Sequence, residues 1–251
     1  MFTKTRRFAL ATAMLWLVYG AGGRALADLT LTAPATLSPG ESFRFVFVTD
    51  GTTNATSTNI ADYNNFVNTQ ADGATYNGSV VSWVAIASTA TVNAIDNVGQ
   101  APISGVYLAD GTLVTTSTTS SGLWSGSLYS AIDEDLTGPN SPGLIWTGTN
   151  PNGTAYPAIP LGSTGNGYAL AGDTNFNTIN WVQFNVLPYT QFLPLYGISQ
   201  ILTVPSVVSV PEPSTLLTSV TAIVAAIAYG RCRKRRDQRR QRPMGQPDAT
   251  E

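Results

Sequence analysis

The chain has 251 residues, a formal net charge of −2, no histidine and a single cysteine, Cys232. This composition excludes an internal disulfide, a Ser-His-Asp or Cys-His catalytic group and a zinc site built from the usual nitrogen and sulfur ligands. Residues 28–209 contain eleven acidic residues and one basic residue, Arg44, a formal charge of −10 that argues against a nucleic-acid partner.

Residues 1–27 have the parts of a secretory signal peptide. Three basic residues precede an apolar run over residues 8–19, and Ala25 and Ala27 make an A-x-A cleavage site. The run is shorter than the ~20 residues of a spanning helix. We therefore predict cleavage by signal peptidase after Ala27, with an uncleaved amphipathic or anchor helix as the alternative.

Residues 28–204 are predicted to form one extracytoplasmic domain. The apolar run at residues 43–48 predicts a buried strand, although Arg44 interrupts it. Residues 59–70 have apolar side chains at helical spacing, and Asn59 is placed to cap the helix. Shorter runs between turn residues predict further strands and a second helix: strands at 80–87, 105–108, 112–116, 143–146, 179–186 and 195–204, and a helix at 127–135.

Short strands with one main helix predict an α+β domain, with a β-sandwich as the alternative. The order of FVFVT (45–49), SWVAI (82–86), LWSGSL (123–128), IWTGTNPNGT (145–154) and PLYGIS (194–199) resembles bacterial surface domains with C-type-lectin-like or endostatin-like folds. The resemblance implies a helix packed on a twisted antiparallel sheet. The chain lacks the cysteines and the calcium and sugar triplets of true C-type lectins, so sugar binding does not follow from it.

The densest acidic cluster is Asp133, Glu134 and Asp135, with Asn140 nearby. Calcium prefers oxygen ligands, so this cluster is a possible calcium site, and a solvated loop is the alternative. A carboxylate pair could also hydrolyse a glycoside, but the spacing singles out no pair. The tryptophans of the domain are predicted to lie in its core rather than to form a sugar-stacking platform: Trp83, Trp124, Trp146 and Trp181.

The C-terminal part reads as a Pro-rich stalk at residues 205–214, a transmembrane helix at 215–230 and a basic cytoplasmic tail at 231–251. The apolar run over residues 216–229 would span only ~21 Å as a helix, against a hydrocarbon core of ~30 Å. Snorkelling of the flanking arginines can bridge the difference. The arginine cluster after the helix predicts a cytoplasmic C-terminus.

This order of parts resembles the PEP-CTERM sorting signal of Gram-negative bacteria. The resemblance implies recognition by a membrane-embedded exosortase, cleavage near the Pro-Glu-Pro motif and an association with exopolysaccharide and biofilm. An ordinary single-pass anchor is the alternative, and the tail runs on to Glu251, further than is usual in that family. The residues that make up the signal are Pro211, Glu212, Pro213, Arg231, Arg233, Lys234, Arg235 and Arg236.

These parts predict a protein that is exported across the inner membrane, anchored there by its C-terminal helix and then released or retained at the cell surface. We expect a non-enzymatic structural role in the envelope or the exopolysaccharide. The predicted partners are the inner membrane, signal peptidase, exosortase and extracellular polysaccharide. The alternatives are a calcium- or carbohydrate-binding adhesion module and a glycan-processing enzyme that uses carboxylates alone.

Overall fold

The computed structural model describes residues 29–206. In this part of the chain, strands and isolated bridges account for 28% of the residues and helices for 11%. The predicted α+β class, a C-type-lectin-like domain with one main helix on a twisted antiparallel sheet, is therefore wrong. The domain is mostly β-structure in three sheets, because turn residues interrupt the apolar runs and leave strands of two to seven residues.

Twelve strands, two α-helices and one 3-10 helix occur within residues 29–206. In chain order they are β1 (Thr30–Leu31), β2 (Ser42–Val48), α1 (Ile60–Gln70), β3 (Thr75–Tyr76), β4 (Ser79–Val80), β5 (Trp83–Ala85), α2 (Ala94–Val98), β6 (Gly105–Tyr107), β7 (Leu113–Thr115), β8 (Leu144–Trp146), β9 (Tyr168–Asp173), the 3-10 helix (Ile179–Trp181), β10 (Asn185–Pro188), β11 (Tyr196–Ser199) and β12 (Leu202–Thr203).

None of these helices is long and apolar enough to cross a membrane. The predicted signal peptide, transmembrane helix and basic tail lie outside the described residues. The second helix predicted at residues 127–135 is wrong, since that segment forms turns and irregular backbone. Just before the segment, Ser125 Oγ donates to the Ser127 carbonyl, and at its end Asp135 Oδ1 accepts from the Gly138 amide. Such local bonds between side chain and backbone compete with helical hydrogen bonds.

The largest sheet has the strand order β5-β11-β2-β6-β7, and β12 also pairs with β2. β2 runs antiparallel to β11 and parallel to β6, so this sheet is mixed rather than antiparallel. The other two sheets have the orders β1-β3-β4 and β10-β9-β8. The mixed sheet places the end of β2 beside loops from several parts of the chain.

β2 is buried on both faces, which explains its nearly continuous apolar sequence. Successive side chains of a strand point to opposite faces. Phe43, Phe45 and Phe47 enter one apolar cluster, the first core, while Val46 and Val48 enter another, the second core.

Helix α1 packs on the first core, where Tyr63 and Val67 are buried. The predicted cap is confirmed, because the Asn59 side chain accepts a hydrogen bond from the Ala61 amide. Gly197 on β11 allows the helix to approach, since a Cβ there would lie 2.5 Å from Val67 Cγ1.

Asparagine side chains cover the outer edge of β5. Asn68 Oδ1 accepts from the Trp83 amide at 3.1 Å, and Asn64 Oδ1 accepts from the Ala85 amide at 2.8 Å. Asn97 Nδ2 donates to the Ala85 carbonyl oxygen at 2.7 Å. Backbone groups that would otherwise be unpaired at a sheet edge are satisfied in this way.

Candidate functional site

The three predicted calcium ligands lie in a tight turn that we call the acidic loop, residues 133–140. The Asn140 amide donates to the Asp133 carbonyl at 2.8 Å, and the Asp135 amide donates to the Gly138 carbonyl at 3.0 Å. Glu134 and Pro139 form an isolated antiparallel bridge between the two sides of the turn. The backbone of the loop is therefore fixed by its own hydrogen bonds.

The acidic loop is attached to the end of β2. The Val48 amide donates to the Glu134 carbonyl at 2.7 Å, and the Leu136 side chain enters the first core. This attachment brings Asp50, which follows β2, against the loop. Asp50 accepts a hydrogen bond from Asn140 Nδ2 at 2.9 Å, and its carboxyl group is close enough to Asp135 to affect the pKa of that residue. Sequence reasoning missed Asp50, because only the fold brings it to the loop.

The carboxylate of Asp135 is held by local donors. Its Oδ1 atom accepts from Thr137 Oγ1 at 2.7 Å, from the Gly138 amide at 2.9 Å and from the Thr137 amide. Burial acts to raise the pKa of Asp135, but the hydrogen bonds that it accepts from Thr137 and Gly138, together with the interaction with the Asp50 carboxyl group, outweigh burial and hold the pKa below its ordinary value. The charged form of Asp135 therefore stabilises the turn.

Glu134, the residue before Asp135, has a carboxylate that its surroundings do not stabilise. Its Oε2 atom is buried and has no hydrogen-bond partner. Burial raises the pKa of Glu134, and the negative charges of Asp110 and Asp133 raise it further, against one hydrogen bond from the Asp110 backbone. The charged form of Glu134 therefore costs the folded protein free energy.

The arrangement is a poor cradle for a cation. Calcium takes six to eight oxygen ligands, but Asp135 Oδ1 already accepts three hydrogen bonds from its own turn. Within residues 29–206, no group of three or more histidine, cysteine, aspartate or glutamate side chains is placed to hold a metal ion together. Calcium binding at Asp133, Glu134 and Asp135 stays a prediction.

The tryptophans predicted to be core residues are buried, each with at most 3% of its surface exposed: Trp83, Trp124, Trp146 and Trp181. This confirms the core interpretation of the four. Because these four side chains are buried, none of them is accessible to stack on a sugar.

Arg44, the one basic residue between residues 28 and 209, is also buried. Its Nη1 atom donates to the carbonyl oxygen of Val98, at the C-terminal end of α2, at 2.7 Å. Burial lowers the pKa of Arg44. Arg44 therefore adds almost no positive surface to the described domain.

A small surface pocket lies beside the end of β7, with a volume of about 180 Å³. We call it the hydroxyl pocket, because serine, threonine and tyrosine side chains make up most of its lining: Thr115, Thr116, Ser121, Ser125, Ser127 and Tyr129. Sequence reasoning missed it by placing a helix at residues 127–135. The alternation of polar and apolar residues over 125–129 could have indicated one exposed face.

The residues predicted to direct export and sorting lie outside the described part of the chain: Ala25, Ala27, Pro211, Glu212, Pro213, Arg231, Arg233, Lys234, Arg235 and Arg236. The chain matches no protein-family model, and a search of curated proteins found no match either.

Proposed function

We propose that this chain is an exported surface protein whose central domain has a non-enzymatic, structural role in the cell envelope or its exopolysaccharide. The observation that carries the proposal is the separation of charge along the chain. Twelve of its thirteen basic residues lie before residue 28 or after residue 230. The remaining one, Arg44, is buried, so the domain between them presents an acidic surface.

This separation fits a chain that works on two sides of a bilayer. Basic residues next to apolar runs are retained on the cytoplasmic face, which is the positive-inside rule. The acidic domain is then the part that crosses the inner membrane. Signal peptidase removes residues 1–27, and an exosortase acts near Pro211, Glu212 and Pro213.

The chemistry of the domain supports a structural role. Residues 28–209 contain no histidine, lysine or cysteine, so the usual bases and nucleophiles other than carboxylates and hydroxyls are missing. In the densest carboxylate cluster, Asp135 is engaged by the hydrogen bonds of its own turn. A carboxylate-only enzyme would need a free pair of carboxyl groups facing a substrate cleft.

Mass spectrometry of the protein recovered from the cells that make it tests this proposal. We expect an N-terminus at Asp28 and a C-terminus near Pro211–Pro213. The variant Glu212→Ala should retain the C-terminal segment, whereas the control Asp237→Ala, which removes a carboxylate from the tail, should be processed normally. An intact chain that starts at Met1 and stays in the cytosol would overturn the proposal.

Cys232 allows a second test, because it is the only thiol in the chain. In spheroplasts that make the Glu212→Ala variant, a membrane-impermeant maleimide should leave Cys232 unlabelled until the membrane is opened. A matched variant carries Thr190→Cys and Cys232→Ser, which moves the thiol to an exposed position of the domain. That thiol should react in intact spheroplasts. Labelling of Cys232 from outside would reverse the proposed orientation.

A further inference from the structure

The lining of the hydroxyl pocket carries no charge. Threonine, serine, tyrosine and leucine side chains form it, and no aspartate, glutamate, lysine or arginine is among them. Hydroxyl groups both donate and accept hydrogen bonds, so they suit a ligand that does the same. The acidic character of the domain disfavours an anionic ligand. A neutral ligand rich in hydroxyl groups matches both properties.

Several of these hydroxyls are available to a ligand. The side chains of Thr116, Ser127 and Tyr129 are exposed, and within residues 29–206 their hydroxyls have no hydrogen-bond partner. Ser125 Oγ, in contrast, donates to the Ser127 carbonyl at 2.8 Å, which orders the segment between them. The pocket therefore offers three free polar groups on an ordered backbone.

Tyr129 supplies an aromatic face at the pocket. Its side chain is 66% exposed, although its backbone amide donates to the Val114 carbonyl at 2.8 Å. The preceding residue, Leu128, is buried in the second core, and its amide donates to the Asn177 carbonyl at 2.7 Å. A tyrosine on such a base offers a large amphipathic contact at a low cost in conformational entropy.

We propose that the hydroxyl pocket binds one ring of a neutral polysaccharide, with the sugar stacked on Tyr129 and hydrogen-bonded to the neighbouring hydroxyls. Its volume of about 180 Å³ is below the ~300 Å³ of small-molecule pockets, which suits a single ring of a longer chain. This inference deepens the proposed function and rests on it for the presence of polysaccharide around the domain.

Binding to oligosaccharides tests the inference. The full chain is purified in a polyoxyethylene detergent, because a detergent with a sugar headgroup would compete for the pocket. Cellohexaose, maltohexaose and mannohexaose are the neutral probes, and hexagalacturonate is the anionic probe. Saturation-transfer NMR and titration calorimetry should show saturable binding of at least one neutral probe and none of the anionic probe.

The variant Tyr129→Ala should weaken that binding by about tenfold, the size expected for the loss of an aromatic contact. The matched control is Phe192→Ala, because Phe192 is an aromatic residue with 65% exposure outside the pocket lining. It should bind like the unaltered chain, and both variants should melt at the unaltered temperature.

Equal affinities in the two variants, or no saturable binding of any neutral probe, would overturn the inference. Neither result would touch the proposed function, which is tested by the termini of the mature protein. If the chain is processed normally but binds no oligosaccharide, only the sugar site is disproved. If the chain stays unprocessed in the cytosol, the proposed function is disproved whatever the binding result.

Discussion

The hydroxyl pocket and the acidic loop are close in sequence and are anchored in the same manner, but they differ in what they leave free. Leu128 anchors the hydroxyl pocket in the second core. Leu136 anchors the acidic loop in the first core. Tyr129 and Ser127 have hydroxyls without a hydrogen-bond partner in the described part of the chain. Asp135 Oδ1, in contrast, accepts three hydrogen bonds from its own turn. In this domain the charged cluster is therefore engaged in part by its own turn, whereas the uncharged pocket keeps unpaired hydroxyls.

The largest expected effect comes from removing the two anchors. Leu128→Ala and Leu136→Ala should each lower the free energy of unfolding by about 3 kcal/mol, since both leave a cavity in a core. Denaturant unfolding of each variant measures this loss. If the segments are independent, Leu128→Ala also abolishes oligosaccharide binding and Leu136→Ala leaves it intact. A loss under about 1 kcal/mol for either variant would show that the leucine is not an anchor.

The next largest effect on stability should distinguish Asp135, whose carboxylate holds the turn, from Asp133, whose carboxylate does not. Asp135→Ala should cost about 1–2 kcal/mol at pH 7, because the amides of Thr137 and Gly138 lose their acceptor. Asp135→Asn should cost less, since its side chain keeps an acceptor oxygen. The control Asp133→Ala, at a residue whose side chain forms no hydrogen bond within the described residues, should change stability by under ~0.5 kcal/mol.

The same variant has a pH signature. The pKa of Asp135 is lowered in the folded protein, so its stabilisation is present above the unfolded value of about 3.9 and is lost as the pH falls through the folded value. The difference in stability between the unaltered chain and Asp135→Ala should therefore shrink below about pH 4. A difference that stays constant down to pH 2 would contradict this assignment.

Glu134→Gln should raise the free energy of unfolding, the opposite of the effect of Asp135→Ala, and by a smaller amount. The pKa of Glu134 is raised on folding, so the carboxylate destabilises the fold above its unfolded pKa and ceases to do so once it is protonated at lower pH. Because solvent screens this partly exposed charge, we expect a gain of at most about 0.5 kcal/mol at pH 7, which disappears near pH 3. Asp72→Asn removes the same charge from an exposed turn and should give no such gain.

The smallest expected effect is that of calcium. At about 10 mM, a site with the ~1 mM dissociation constant of weak extracellular modules would stabilise the fold by about 1.4 kcal/mol. That gain raises the Tm of a domain of this size by about 3–6 °C. We expect a rise below about 1 °C, because Asp135 is already engaged. A larger rise that Glu134→Gln abolishes would establish a calcium site at the acidic loop.

Two elements could be predicted from sequence because local signals suffice for them. β2 is a nearly continuous apolar run, which a strand buried on both faces requires. α1 has its apolar residues at helical spacing and a capping asparagine at its start. In both cases the pattern within about a dozen residues determines the element and its boundaries.

β9 could not be predicted in this way. Its sequence, YALAGD, has no β-branched residue, and its Gly172 is required by the backbone of Trp181, since a Cβ there would lie 2.7 Å from the Trp181 carbonyl carbon. That requirement comes from a contact between two segments of chain, which the local sequence does not show.

The acidic loop could be predicted only in part for the same reason. The sequence identifies Asp133–Asp135 but not Asp50 or Asp110, which the fold brings to the loop.

The asparagines that cover β5 also affect how copies of the domain can associate. Crowded copies of a β-rich domain tend to join through open strand edges, and the join propagates as a fibre. At β5, amide groups of Asn64 and Asn68 occupy the positions that a neighbouring molecule would need. At β10, the Val186 amide is taken by Asn185 Oδ1, and Pro188 has no amide hydrogen to give. These two edges are therefore closed to strand pairing between copies of the domain, which suits the crowded surface location that we propose.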